Sequence, residues 1–295
     1  MTTSTRRAVL ATGAGVLVVG GAAVALEVRP VRSRIRSTLG IGQVADPVPS
    51  AGAGEPVFAT FDSASRGRPV TWGWAAPPGV APAGLPVLLV LHGRGDDARV
   101  AFTQLGVHQF LAAHVDAGGS PLAVVSVDGG STYWHPRADG DDPLAMLREE
   151  LFPRLLDTGF DLSRWAVTGW SMGGFGALLL AREVTAGRFP TSGELVAAAA
   201  GSPALFASAG ATSAGSFDDA ADWREFGDLV PDPATGSVAL SVSCGVDDPF
   251  RARTEAYRAA CDPAPAGGIG DGAHTMGYWR SLVPGWLQFV DAHLA

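Results

Sequence analysis

The chain is 295 residues long and weighs 30.2 kDa; 47% of it is hydrophobic and 17% charged, which excludes a disordered chain and fits one large domain or two small ones. The net charge is −8, but residues 1–36 hold six Arg and one Glu and carry +5, leaving −13 on the rest; an acidic body without a basic stripe excludes nucleic acid as a partner. Two Cys exclude a disulfide framework and a Cys-rich zinc module.

The first segment reads as an address. Arg6 and Arg7 precede residues 8–26, which carry no charge and are rich in Gly and Ala. Paired arginines before a mildly apolar run predict a twin-arginine export signal, with Ala23-Val24-Ala25 as a small-x-small cleavage site. A helix of about 19 residues also spans roughly 28 Å, enough for an N-terminal membrane anchor. Arg29, Arg32, Arg34 and Arg36 behind the run keep the anchor reading open. Either reading of residues 1–36 predicts an exported protein, extracellular or held at the cell envelope. There Cys244 and Cys261 either form a disulfide or stay as two buried thiols. Residues 37–54 are mostly Gly, Pro, Ala and Ser, a linker composition, so the globular body runs from 55 to 295.

In the body, strand and helix signals alternate. Residues 57–61 and 70–74 flank an Arg-Gly-Arg turn and predict a hairpin. Residues 86–91 form an unbroken apolar run, as expected of a strand buried on both faces. Residues 122–127, 165–169 and 238–244 repeat the pattern, while the Ala-rich run 195–200 fits strand or helix. Helical patterns cover 99–115, 143–156, 172–184 and 250–261, with Pro143 suited to a first turn. A last apolar stripe covers 278–294, in which Pro284 must kink the helix or mark its start. Such alternation predicts an α/β fold: a mostly parallel central sheet with helices on both faces, and ligands beyond the carboxyl ends of the strands.

The strand ends carry the chemistry. Gly169-Trp170-Ser171-Met172-Gly173-Gly174 is G-x-S-x-G between an apolar strand and a helix pattern. The glycines suit a turn where strand and helix crowd together, and a helix N-terminus favours negative charge at the serine. Ser171 is the candidate nucleophile; a tight Gly-rich turn with an incidental Ser is the alternative. A serine hydroxyl needs a base, and in this fold class the order is Ser, acid, His. Of the two histidines after Ser171, His274 lies in a loop before the last helix and His293 on that helix's polar side, so His274 is the candidate base. The acid should follow strand 238–244, where Asp247 and Asp248 are adjacent; Asp248 is preferred, and either also suits capping the next helix. Two backbone N–H groups should hold the oxyanion: Met172, and Arg94 in the loop His92-Gly93-Arg94-Gly95, with Gly93 as its rival. His92 reads as a structural hydrogen-bonder. Tyr133, Trp134, Trp170 and Trp279 are candidate substrate-binding residues, with inward packing as the competing role of the tryptophans. No metal site is read.

These residues resemble the Putative esterase (esterase D-like) family of α/β hydrolases, which includes S-formylglutathione hydrolases, feruloyl and acetylxylan esterases, and secreted mycolyltransferases. The resemblance covers about 55–295. It rests on His92-Gly93, Asp128-Gly129-Gly130 with Tyr133, Glu150-Leu151-Phe152-Pro153, the serine motif, Gly245 to Phe250, and His274 with Tyr278-Trp279-Arg280. It implies the α/β-hydrolase fold and ester hydrolysis or acyl transfer through an acyl-serine, without metal or organic cofactor. The partner it implies is a small-molecule, lipid or carbohydrate ester. The chain departs from the family at the acid, where some secreted members have Glu, and at 202–236, which matches no member's substrate-binding region. The resulting expectation is an exported serine esterase. An acyltransferase with the same triad, or a non-catalytic envelope-binding protein on a hydrolase fold, are the rivals.

Overall fold

The computed structural model describes residues 48–50, 52–191, 193–229 and 238–294. The expected targeting segment and most of the linker lie outside the described residues. No helix among the described residues is long and apolar enough to cross a membrane.

Eight strands form a sheet in the order β1-β2-β4-β3-β5-β6-β7-β8. β1 (Val57–Ser63) and β2 (Arg68–Ala75) are the expected hairpin, and β2 also pairs antiparallel with β4 (Ala123–Val127). From there the sheet is parallel: β3 (Pro86–Leu91), β5 (Asp161–Trp170), β6 (Glu194–Gly201), β7 (Ala239–Gly245) and the short β8 (Ile269–Gly270). The unbroken apolar run of β3 follows from its position. Val87, Leu89 and Leu91 enter one core cluster while Leu88 and Val90 enter the other, so neither face tolerates a polar residue.

Helices α1 (Val107–Asp116), α2 (residues 143–157), α3 (Met172–Thr185), α4 (Arg251–Ala260) and α5 (Met276–Leu294) cover the sheet. α2 and α3 supply the core of one face, α1 and α5 that of the other. The Ala-rich run is strand β6, set between these layers. Ala198 and Ala200 join one core and Ala197 and Ala199 the other, and small side chains let helices approach both faces.

Three local details differ from expectation. The helix expected over 99–115 is two pieces, Val100–Thr103 and α1, because Gly106 at φ 74° reverses the chain between them. α2 widens into a π turn at Met146–Leu151, just before Pro153, whose ring nitrogen cannot donate the next helical bond. Glu150, on that turn, accepts from the Ser65 amide (2.9 Å) and from the Ser63 hydroxyl, tying α2 to the hairpin. Pro284 lies inside α5, on its exposed side, and does not mark the start of the helix, which is Met276.

Cys244 and Cys261 are free thiols. Cys244 lies in β7, next to its last residue, while Cys261 follows the ten residues of α4 and lines a cavity at the opposite end of β6 and β7.

Candidate active site

Three loops meet at the carboxyl edge of the sheet. β5 ends at Trp170 and α3 begins at Met172, so Ser171 alone reverses the chain, at φ 55° and ψ −117°, a strained conformation for a residue with a Cβ. Backbone bonds hold it there. Its N–H donates to Gly201 O (2.9 Å), and its carbonyl accepts from Phe175 and Ala204 (3.0 Å each). A Cβ on Gly173 would lie 1.9 Å from Leu91 O, so only glycine lets α3 start against the end of β3.

His274 sits in the loop before α5, with Nε2 2.9 Å from Ser171 Oγ and Nδ1 2.9 Å from Asp248 Oδ2. A carboxylate only accepts, so Nδ1 carries the proton and Nε2 is left to accept from the serine hydroxyl. Asp248 Oδ1 accepts from the Phe250 amide (2.8 Å). Orienting the histidine and fixing the start of α4 thus fall to separate oxygens of one side chain. The Asp248 side chain is 0% exposed and that of His274 25%, so water screens little of their interaction. Asp247 ties the same loops through its backbone, donating to Gly272 O (2.9 Å). Phe250 and Trp279 flank the imidazole, with ring centroids at 5.3 and 4.9 Å. Behind the acid, burial pushes the Cys244 thiol far up and the Asp248 charge adds to it, so that sulfur stays protonated.

Met172 opens α3, where the first N–H groups have no partner within their own helix. Arg94 lies in a turn closed by Asp96 N–H donating to Gly93 O (3.2 Å), with Gly95 at φ 82° as its left-handed residue. The Arg94 guanidinium reaches across to Ala214 O (2.5 Å). His92 is fully buried; its Nδ1–H donates to Gly93 O (2.7 Å) and its Nε2 accepts from the Gly129 amide (2.9 Å), stitching two loops together.

Tyr133 and Trp134 both have positive φ, 55° and 60°. That backbone sends the Trp134 indole inward, against Gly129, Gly176 and His92, leaving it 1% exposed. Trp170 is 0% exposed and donates Nε1–H to Asp96 Oδ2 (3.1 Å). The expectation that these two indoles line a substrate pocket is corrected: both are interior, Trp134 turned inward by its left-handed backbone and Trp170 facing the core from the last position of β5. Trp279 stands beside His274. Tyr133 heads an aromatic wall in which its ring lies 5.8 Å from Phe206 and 5.6 Å from Phe217, and Phe206 lies 5.6 Å from Phe250. Loop contacts fasten this wall. His135 is stacked between Phe217 and Phe226, and its Nε2 lies 3.1 Å from Ser216 O. Arg137 grips Asp218 with Nε and Nη2 (3.1 and 2.6 Å).

Sequence reading assigned no role to Phe206, Phe217 or Asp96. The signal for the phenylalanines was their isolation as large rings in a stretch of Ala, Gly, Ser and Asp. His293 is remote from Ser171. It lines a cavity of about 550 Å³ at the other end of β6 and β7, and its Nδ1–H donates to Phe289 O (2.7 Å). Among the described residues, no cluster of three or more His, Cys, Asp or Glu is placed to hold a metal.

A mostly parallel sheet flanked by helices, with a serine on the strand-to-helix turn and a histidine and an acid behind it in the order Ser, Asp, His, is the α/β-hydrolase architecture. Residues 63–259 match the family described as "Putative esterase", and the chain belongs to that family of carboxylic-ester hydrolases. Solved structures share the fold. A ferulic acid esterase superimposes with a TM-score of 0.68 at 21% identity, over 82% of this chain and 98% of that one. An S-formylglutathione hydrolase from Agrobacterium tumefaciens gives 0.63 at 17%, over 83% and 98%. A fluorophosphonate-binding serine hydrolase of Staphylococcus aureus gives 0.62 at 17%, over 81% and 99%. No curated protein matches the sequence.

Proposed function

We propose that this esterase is exported and works through an acyl intermediate on Ser171, with His274 as base, Asp248 orienting it, and the backbone N–H groups of Met172 and Arg94 receiving the oxyanion. The observation that carries the reading is the unbroken chain Ser171 Oγ–His274 Nε2–Asp248 Oδ2, each link 2.9 Å. As the Ser171 oxygen bonds to the ester carbonyl carbon, its proton passes to Nε2, and the carbonyl oxygen takes the negative charge. The buried Asp248 carboxylate stabilises the imidazolium without itself taking the proton. Collapse expels the alcohol, which leaves with the proton from Nε2. Water then repeats the steps on the acyl-serine and releases the acid. The substrate is a small-molecule, lipid or carbohydrate ester. Arg6-Arg7 ahead of the uncharged run 8–26 support export.

The test uses the purified protein with short-chain nitrophenyl esters. Ser171→Ala should lower kcat by several orders of magnitude, about 10⁴-fold or more. A fluorophosphonate should label Ser171 in the parent. Hydrolysis by the alanine variant near the parent rate, or label on another residue, overturns the nucleophile; transfer to an added alcohol outrunning hydrolysis moves the reading to an acyltransferase.

A further inference from the structure

The two N–H groups proposed for the oxyanion come from different strands. Met172 follows β5, and Arg94 follows β3. Their spacing therefore depends on whatever fixes the β3 loop relative to the residues around the nucleophile. The β3–β5 ladder sets this as far as Leu91 and Gly169, and beyond the ladder one side chain bridges the loop to Trp170. Asp96 is the fourth residue of the turn that has Arg94 as its second, and its amide closes that turn on Gly93 O (3.2 Å). Its carboxylate accepts from the indole N–H of Trp170 (3.1 Å), the residue immediately before Ser171. Gly93 is squeezed into the same junction: a Cβ there would lie 2.7 Å from Trp170 Nε1 and 2.9 Å from Asp96 Oδ2. Trp170 is itself fully buried and 6.3 Å, ring to ring, from Trp279. Half-buried among these groups, the Asp96 carboxyl is pushed above the usual carboxylate range by desolvation, so its burial is a cost that the bond from Trp170 partly offsets.

We propose that Asp96 is the positioning residue of the oxyanion pocket, tying the turn that presents the Arg94 amide to Trp170 and thereby to the backbone that carries Ser171. Asp96 touches no reacting atom; it sets the distance between two donors. A donor aimed at developing charge is useful only at the right place, and a displacement of about 1 Å costs on the order of 10²-fold in rate. The inference rests on the proposed acyl-serine reading.

The experiment compares Asp96→Ala, Asp96→Asn and Trp170→Phe with the parent on nitrophenyl acetate, together with inhibition by benzeneboronic acid, which forms a tetrahedral adduct on a serine hydroxyl. Asp96→Ala should lower kcat about tenfold to a hundredfold, with KM within about twofold, and should weaken the boronic acid in parallel with kcat/KM. Asp96→Asn keeps an oxygen acceptor and should recover kcat to within about threefold of the parent. Trp170→Phe should match Asp96→Ala, and the double variant should be no worse than the worse single, the signature of one shared bond. If Asp96→Ala fails to fold, Trp170→Phe carries the comparison. The proposal is overturned if Asp96→Ala retains kcat within about threefold, if Asn is as damaging as Ala, or if the single losses multiply. These failures differ from failure of the acyl-serine reading, in which the parent itself takes no fluorophosphonate on Ser171.

Discussion

Gly173→Ala adds one methyl group at the tightest crossing in the site. The new Cβ would lie 1.9 Å from Leu91 O, 2.5 Å from Leu91 C and 2.7 Å from His92 O. All three atoms are backbone, so no rotamer change relieves the overlap. Ordinary contact begins near 3.5 Å, so the end of β3 and the start of α3 must part by about 1.5 Å. Overpacking typically costs about 1–3 kcal/mol, and a backbone clash belongs at the top of that range. For a body of this size, that is a fall in Tm of about 6–12 °C. The separation also runs between Met172 and the loop of Arg94, so kcat should fall at least about a hundredfold. Gly67→Ala is the control: Gly67 has φ 60° but nothing within 4 Å of an added Cβ, so it meets only the left-handed penalty of about 1–2 kcal/mol and should leave kcat alone. Thermal unfolding followed by circular dichroism and steady-state hydrolysis of nitrophenyl acetate read both effects. A Gly173→Ala enzyme with Tm within about 2 °C and kcat within about threefold of the parent would refute the reasoning, as would an equal loss of kcat in Gly67→Ala.

Strain at the serine is separately measurable. Ser171→Gly and Ser171→Ala both lack the hydroxyl, but only glycine is at ease at φ 55°, so the Gly variant should be the more stable of the two by about 1 kcal/mol, read from the difference in thermal unfolding. Glu183 gives a pH dependence. Burial works to raise its carboxyl, yet bonds from Arg188 (2.7 Å) and Arg182 (2.9 Å) outweigh that and hold it below the ordinary glutamate value. A depressed carboxylate contributes stability in full above the unfolded value, about 4.3, and loses it as pH falls through the folded one. The Tm gap between the parent and Glu183→Gln should therefore be widest near neutrality and close below about pH 4; a gap that widens in acid contradicts the assignment.

The strands were legible in the sequence because apolar runs such as 86–91 have no other stable place than the middle of a two-faced sheet. The meeting of Ser171, Asp248 and His274 was legible because each follows a strand or precedes a helix at the carboxyl edge, where topology brings such ends together. What stayed hidden depends on backbone torsions. Nothing in the letters separates an indole that lines a pocket from one that lies beneath it; the left-handed backbone at Tyr133 and Trp134 decides that. Asp247 and Asp248 are adjacent and identical in type, so the sequence supported a preference for Asp248 and the turn into α4 decides it. The break at Gly106 and the π turn before Pro153 were hidden likewise, since the apolar spacing continues across both.

No residue from Ser202 to Leu229 belongs to a strand, yet this stretch carries Phe206 and Phe217 against Tyr133, and Phe206 against the Phe250 ring that flanks His274. It is moored by side chains from neighbouring loops: Arg94 to Ala214, His135 to Ser216 and Arg137 to Asp218. The hydrogen-bonded relay of Ser171, His274 and Asp248 rests on the carboxyl edge of the sheet, whereas this aromatic panel is mounted on loops. Mutation can recut the panel, lengthening or trimming it between its moorings, while the relay keeps its register. A change of length in that stretch would therefore reshape the aromatic cluster and leave the strand ends that carry Ser171 and Asp248 where they are.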